Sequence, residues 1–150
     1  MGIVKDNILA EKNRPTVIKD CAQLVDQEVA SKKGIAGMII KTGYKAFKAI
    51  KPSIVETAVD VLLDDFAVKL DEHYEQYLKD VPDKGRSFEQ WAKLKEQDIA
   101  DTLLNITDDM MEKSKKQAIK KVYSGLRSVA KKNVVQAVPK ISTLVVKYAG

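Results

Sequence analysis

The sequence predicts an all-α protein, a single compact bundle of about six helices. Three observations carry this. Apolar residues return at three- and four-residue steps through nearly the whole chain, the spacing that lines one face of an α-helix. Two-residue alternation is absent, as are the Asn-Gly and Asp-Gly pairs that turn a hairpin. Prolines and capping sequences punctuate the apolar runs where helices would begin and end. With 150 residues, 45% of them hydrophobic, the chain has the size of one domain and enough apolar material for a core.

The predicted helices span approximately 3–12, 15–31, 34–51, 53–81, 87–107, 108–135 and 138–149. In the first, Val4, Ile8 and Leu9 share a face, and Asn13-Arg14-Pro15 stops the run because proline clashes with the preceding turn. Pro15 suits the start of the second, where Ile18, Cys21, Ala22, Val25 and Val29 form the stripe and Lys32-Lys33-Gly34 the stop. The third carries Ile35, Met38, Ile39, Tyr44, Phe47 and Ile50 and ends at Pro52. Its glycines, Gly37 and Gly43, each cost about 1 kcal/mol of helix propensity against alanine, which close helix approach can offset.

Ser53 and Glu56 have capping-box spacing, in which the hydroxyl accepts from a free backbone N–H and the carboxylate reaches back. The fourth helix follows, with a stripe through Val55, Val59, Leu62, Phe66, Leu70 and Tyr77 and with Asp60, Asp64 and Asp65 on other faces. Pro82–Gly85 reads as a loop. Ser87 and Gln90 repeat the box before a helix bearing Phe88, Trp91, Ile99 and Leu103. Thr107-Asp108-Asp109 predicts a break. Beyond it Ile119, Val122, Tyr123 and Leu126 form one side of the next helix, and Pro139 starts or kinks the last, with Ile141, Leu144 and Tyr148 apolar.

Charge falls in blocks. Residues 1–50 carry a net +4, residues 51–112 a net −9, and residues 113–150 a net +10 with no acid at all. The simplest account is internal: the basic end packs beside the acidic middle, and their fields offset each other. The sharper one is an anionic partner. One cysteine, Cys21, cannot form an internal disulfide. The longest uncharged stretch, near Ile35–Ile40, is far below the roughly 20 residues of a membrane span. Gly2 lacks the Ser or Thr at position 6 of a myristoylation signal, having Asp6 instead. A cytoplasmic location is the resulting expectation.

The segments Lys41–Pro52 (KTGYKAFKAIKP) and Ala118–Val134 (AIKKVYSGLRSVAKKNV), with Asn13–Pro15 and Gln23–Asp26 (QLVD), resemble a bacterial family of small helical proteins known as a domain of unknown function. The resemblance covers nearly the whole chain. It implies a compact helical domain and supplies no activity and no functional residue.

Candidate chemistry is sparse. His73 has Lys69, Leu70 and Tyr77 one turn away, so neither a helical Glu-x-x-His nor a His-Glu-x-x-His metal motif is present. Asp108, Asp109 and Glu112 have the spacing of an aspartate-rich magnesium motif. The other pair, Asp64-Asp65, supplies no third carboxylate to oppose it. Cys21 sits among Ile18, Ala22 and Val25 and reads as a core residue. Asn105-Ile106-Thr107 is a glycosylation sequon by letter alone. No phosphate-cradling loop occurs, and no cofactor or metal is expected.

What remains is cationic. Lys32, Lys33, Lys41, Lys45, Lys48 and Lys51 surround Met38, Ile39, Tyr44 and Phe47. A second group, Lys113, Lys116, Lys120, Lys121, Arg127 and Lys131, is the expected contact for an anion. Such helices can lie on anionic membranes or pair with phosphates, unless their apolar faces are spent on the core. Lysines outnumber arginines 23 to 3, and arginine is the residue that reads base edges, so sequence-specific nucleic-acid recognition is disfavoured. The leading expectation is a non-enzymatic binding protein that meets a protein partner or an anionic surface. A self-associating structural protein is the first alternative. A small-ligand or lipid binder with an internal pocket is the second, resting on Tyr44, Tyr77, Trp91 and Tyr123.

Overall fold

The computed structural model describes residues 2–83 and 85–149. Among them are seven helices and no strand: α1 (Ile3–Leu9), α2 (Arg14–Ser31), α3 (Gly34–Ile50), α4 (Ile54–Asp80), α5 (Phe88–Leu94), α6 (Glu96–Lys113) and α7 (Gln117–Ala149). α1 and α2 pack on α4, α6 lies between α4 and α7, and α5, α1 and α3 each pack on α7. One core cluster joins Val4 and Ile8 of α1, Leu63 and Ala67 of α4, and Val138 and Val145 of α7.

Four boundaries differ from those the sequence predicts. The first helix stops at Leu9 instead of residue 12, as Ala10 turns extended (ψ 131°). The predicted 87–107 helix is broken at Lys95 (ψ 17°), whose N–H reaches Ala92 in a tight turn. Neither proline nor glycine stands there. Packing separates the two pieces: Phe88, Trp91 and Ala92 are buried on one side of the turn, Ile99 and Ala100 on the other. The break expected at Thr107–Asp109 does not form. Thr107 donates its hydroxyl back to Leu104 O (3.0 Å), a mid-helix bond and not a cap, and α6 continues to Lys113. The chain turns instead at Ser114–Lys116, where Ser114 Oγ accepts from Lys116 N (3.2 Å).

Pro139, finally, lies inside one continuous helix of 33 residues. It removes one N–H, but burial of Ala137, Val138 and Val145 on either side holds both halves on the core. The hydroxyls of Ser142 (2.7 Å) and Thr143 (3.1 Å) donate to Pro139 O.

The two capping-box sequences behave differently. Ser87 has extended backbone (φ −72°, ψ 162°) and closes the full reciprocal box with Gln90. Ser53 has φ −95° and ψ 22°, so its hydroxyl caps nothing, and a backbone bond from Ile54 N to Lys51 O (3.0 Å) makes the turn.

Polar ties close the end of the molecule where α1, α4 and α7 meet. The buried Asp71 of α4 accepts from Val4 N (3.0 Å) and Lys5 N (3.1 Å) in the first turn of α1, where free N–H groups and the helix dipole favour a carboxylate. Asn7 Nδ2 donates to Tyr148 O (2.7 Å). Asp20 of α2 accepts from Lys147 Nζ (2.6 Å) and Tyr148 OH (2.9 Å), and these bonds hold its carboxyl below the usual range against a burial effect that would raise it.

Candidate functional site: a cationic face on two helices

Between Glu28 and Glu56 lie 27 residues without an acid, holding six lysines; from Lys113 to the end lie 38 more, holding ten cations. The fold places these two stretches side by side. Lys32 Nζ, just before α3, donates to Gln136 Oε1 of α7 (2.8 Å). Eleven residues later, Gly43 of α3 meets Leu126 of α7 so closely that a Cβ would come within 2.5 Å of the leucine side chain. Advancing eleven residues along α3 therefore means retreating ten along α7. The helices run antiparallel, and the same register brings Lys51 beside the first turn of α7.

Sixteen cations thus gather on one pair of neighbouring helices and the turns that bound them. Six are held by carboxylates on the flanking helices. On the α2 side, Lys32 and Lys140 share Glu28 (3.1 and 3.3 Å), Lys48 reaches Asp26 (3.6 Å) and Lys147 reaches Asp20. On the α6 side, Lys131 pairs with Asp101 (3.0 Å) and Arg127 with Asp108 (2.9 Å). The other ten, Lys33, Lys41, Lys45, Lys51, Lys113, Lys115, Lys116, Lys120, Lys121 and Lys132, form no ion pair among the described residues. All are exposed except Lys120, which is half-buried.

The six predicted contact residues therefore divide. Lys113, Lys116, Lys120 and Lys121 remain unpaired. Arg127 and Lys131 are engaged by α6 and not by the Asp60–Glu75 stretch, whose Asp60 and Asp64 hold Arg14 instead. Arg127 binds Asp108 through Nε and Nη2, and Tyr123 OH donates to the same carboxylate (2.5 Å). These bonds hold the Asp108 carboxyl below its ordinary range, Arg127 first and Tyr123 second. Burial, aided by the hydrogen bond that the hydroxyl donates to Asp108, pushes Tyr123 up to about 12. Asp108 is thus the common acceptor of a polar knot that joins α6 to α7. Lys33, Lys41, Lys45, Lys51, Lys115 and Lys132 were outside the predicted contact set. The acid-free interval around α3 was the signal for four of them.

The face also exposes apolar side chains. Ile35 is 82% accessible and Met38 68%, with Ile39 and Ile50 near 40%. Gly37, in contact with the Lys32 backbone, is the only residue of α3 that is buried. The outward stripe of α3 is therefore not spent on the core, contrary to what a globular helix ordinarily does.

Residues 4–149 match DUF6918, described as a family of unknown function. The chain belongs to that family. No curated protein and no solved structure matches it. The family's fold is thus seen here as a seven-helix arrangement among the described residues, and the family description assigns no role to the face.

The remaining chemistry lies apart from it. Among the described residues no three His, Cys, Asp or Glu side chains are placed to hold a metal, and no helix is long and apolar enough to cross a membrane. Burial pushes the Cys21 thiol up to about 11, well above the range of a nucleophilic thiolate. His73 is half-buried, accepts or donates one bond with Thr102 Oγ1 (3.2 Å), and has its pKa lowered by burial. It borders an open groove of about 400 Å³ with Lys69, Glu72 and Asp109. Trp91 and Tyr77 are core residues, whereas Tyr123 and Tyr44 spend their hydroxyls on Asp108 and Asp26.

Proposed function

We propose that this chain is a non-enzymatic binding protein that meets an anionic partner through the α3–α7 face. The observation that carries the reading is the set of ten unpaired lysines on two adjacent acid-free segments. Like charges repel, and neighbours closer than about 8 Å are little screened at physiological salt. A face of one sign is costly to the free protein and becomes favourable only beside negative charge. Lysine suits a diffuse partner: each ammonium is a point charge on a flexible stem, without the planar fork that fixes one ligand geometry.

Retention on heparin at low salt tests the reading. The full chain is expected to bind and to elute as salt rises. The quadruple variant Lys113→Glu, Lys116→Glu, Lys120→Glu, Lys121→Glu is expected to elute at much lower salt with its helicity unchanged. Failure of the unaltered chain to bind would refute the proposal. A second reading is head-to-tail self-association, favoured by the exposed carboxylates Glu56, Asp65 and Glu72 on α4, which lie outside the two acid-free segments. A monomer in sedimentation at low salt and high concentration would exclude it.

A further inference from the structure

We infer that the anionic partner is the headgroup layer of a lipid bilayer and that α3 is the element that enters it. The inference rests on the cationic-face reading and adds what charge alone does not explain: four large aliphatic side chains left in water in the middle of the lysines. Ile35, Met38, Ile39 and Ile50 all belong to α3, and all are exposed.

Helical geometry orders them. At 3.6 residues per turn, Ile35, Met38, Thr42 and Ala49 fall within one narrow sector of α3, opposite the sector of Ile40, Tyr44 and Phe47 that faces the bundle. Ile39 and Ile50 lie at its α7 edge. Lys41, Lys45 and Lys48 form the other edge, beside α2, where Lys48 meets Asp26. Across the Gly43–Leu126 contact, the exposed lysines of α7, Lys121 and Lys132, border the stripe from the far side. The result is a ridge along α3, a helix about 25 Å long from 17 residues at 1.5 Å each, with Ile35, Met38 and Ile39 at its start and Ile50 at its end, between two rows of ammonium groups.

That is the section of an interfacial helix, with an apolar face that sinks to the acyl boundary and lysines that reach the lipid phosphates. The close approach of α7 at Gly43 widens the row of charge on one side without covering the ridge. Nucleic acid fits less well. The face offers no exposed aromatic ring on which a base could stack, and its one arginine, Arg127, is occupied by Asp108. A bilayer needs neither.

The test uses the full chain, vesicles of phosphatidylcholine mixed with phosphatidylglycerol, vesicles of phosphatidylcholine alone, and heparin. The unaltered chain is expected to float with the mixed vesicles and not with the neutral ones. Each lysine of the face neutralised should weaken that partition roughly five-fold. The double variant Ile35→Gln, Met38→Gln touches only exposed positions, so it should keep its fold. It should lose about ten-fold or more in vesicle partition, because the acyl contact is removed, while its heparin elution stays unchanged. A Met38→Trp variant should shift its emission to the blue with mixed vesicles only.

Equal flotation of the double variant and the unaltered chain would overturn the inference, as would an emission from the Met38→Trp variant that ignores the vesicles. Heparin binding without flotation would also overturn it while leaving the cationic-face reading intact. Loss of heparin elution in the double variant would count against it too. Absence of binding to heparin and vesicles alike would refute both.

Discussion

The two ends of α7 are built differently. From Ala137 onward, six of its residues are buried and its last turn is tied by hydrogen bonds to α1 and α2. Between 117 and 136 no residue is buried, and its partner α3 buries only a glycine. The same helix thus serves as core at one end and, at the other, as one rail of a less buried wing that α2 and α6 flank. Apolar contact sets local stability, so the wing is held less firmly than the core end of α7, and it carries the unpaired charge. Stability and binding surface are separated along one helix.

Truncating one aromatic side chain in the core and one in the wing should break the comparison or confirm it. Trp91 is 3% accessible, packs within 6.0 Å of the Tyr77 and Phe88 rings, and donates to Asp80. Trp91→Ala should cost about 3–5 kcal/mol. Phe47→Ala, at a half-buried wing position, should cost roughly 1–2 kcal/mol. Urea unfolding measures both, and equal losses would erase the distinction. Next in size is Asp71→Ala, which strands two N–H groups in the first turn of α1 and should cost about 1–3 kcal/mol. Asp71→Asn keeps an acceptor and should cost less.

Some of this was legible in sequence and some was not, and locality separates the two. The helical periodicity and the Ser87–Gln90 box depend on residues within one turn, and both appear in the fold. Ser53 and Glu56 carry equivalent letters, but Pro52 precedes them in a tight turn and the backbone, not the spacing, decided that no cap forms. The break at Lys95 and the unbroken passage through Pro139 were set by burial against distant helices, which no window of sequence contains. The basic face was half legible. Its lysines could be counted, but whether Arg127 or Lys121 stayed free depended on which carboxylates α6 presents. The exposure of Ile35 and Met38 was hidden for the same reason, since an apolar stripe reads alike whether or not a neighbour covers it.

Glycines sharpen the contrast within the wing. A methyl group at Gly37 would lie 2.8 Å from the Lys32 carbonyl carbon, a backbone wall. Gly37→Ala should therefore destabilise by about 1–3 kcal/mol despite its gain in helix propensity. At Gly125, on the outer side of α7, the methyl meets nothing within 4 Å. Gly125→Ala should stabilise by up to about 1 kcal/mol. Opposite signs from one substitution type, read by thermal unfolding, would locate the tight seam at the start of α3.

The smallest expected effect concerns the knot that fastens the wing to α6. Arg127 and Tyr123 hold the Asp108 carboxyl below its unfolded value near about 3.9. A depressed carboxylate contributes stability that is fully present above the unfolded value and is lost as pH falls through the folded one. Asp108→Asn removes the charge while keeping an acceptor. Because both partners of the Arg127–Asp108 pair are 38% exposed, the variant should be less stable at pH 7 by only a few tenths to about 1 kcal/mol. The gap between the two proteins should narrow as pH falls below about 4, since protonation then does to the unaltered chain what the substitution did to the variant. The Asp20 cluster at the other end of α7 titrates in the same direction in both proteins and cancels from the difference. A gap constant from pH 7 to pH 3 would assign the knot's contribution to the packing of Tyr123, and the wing would then be held on by shape and not by charge.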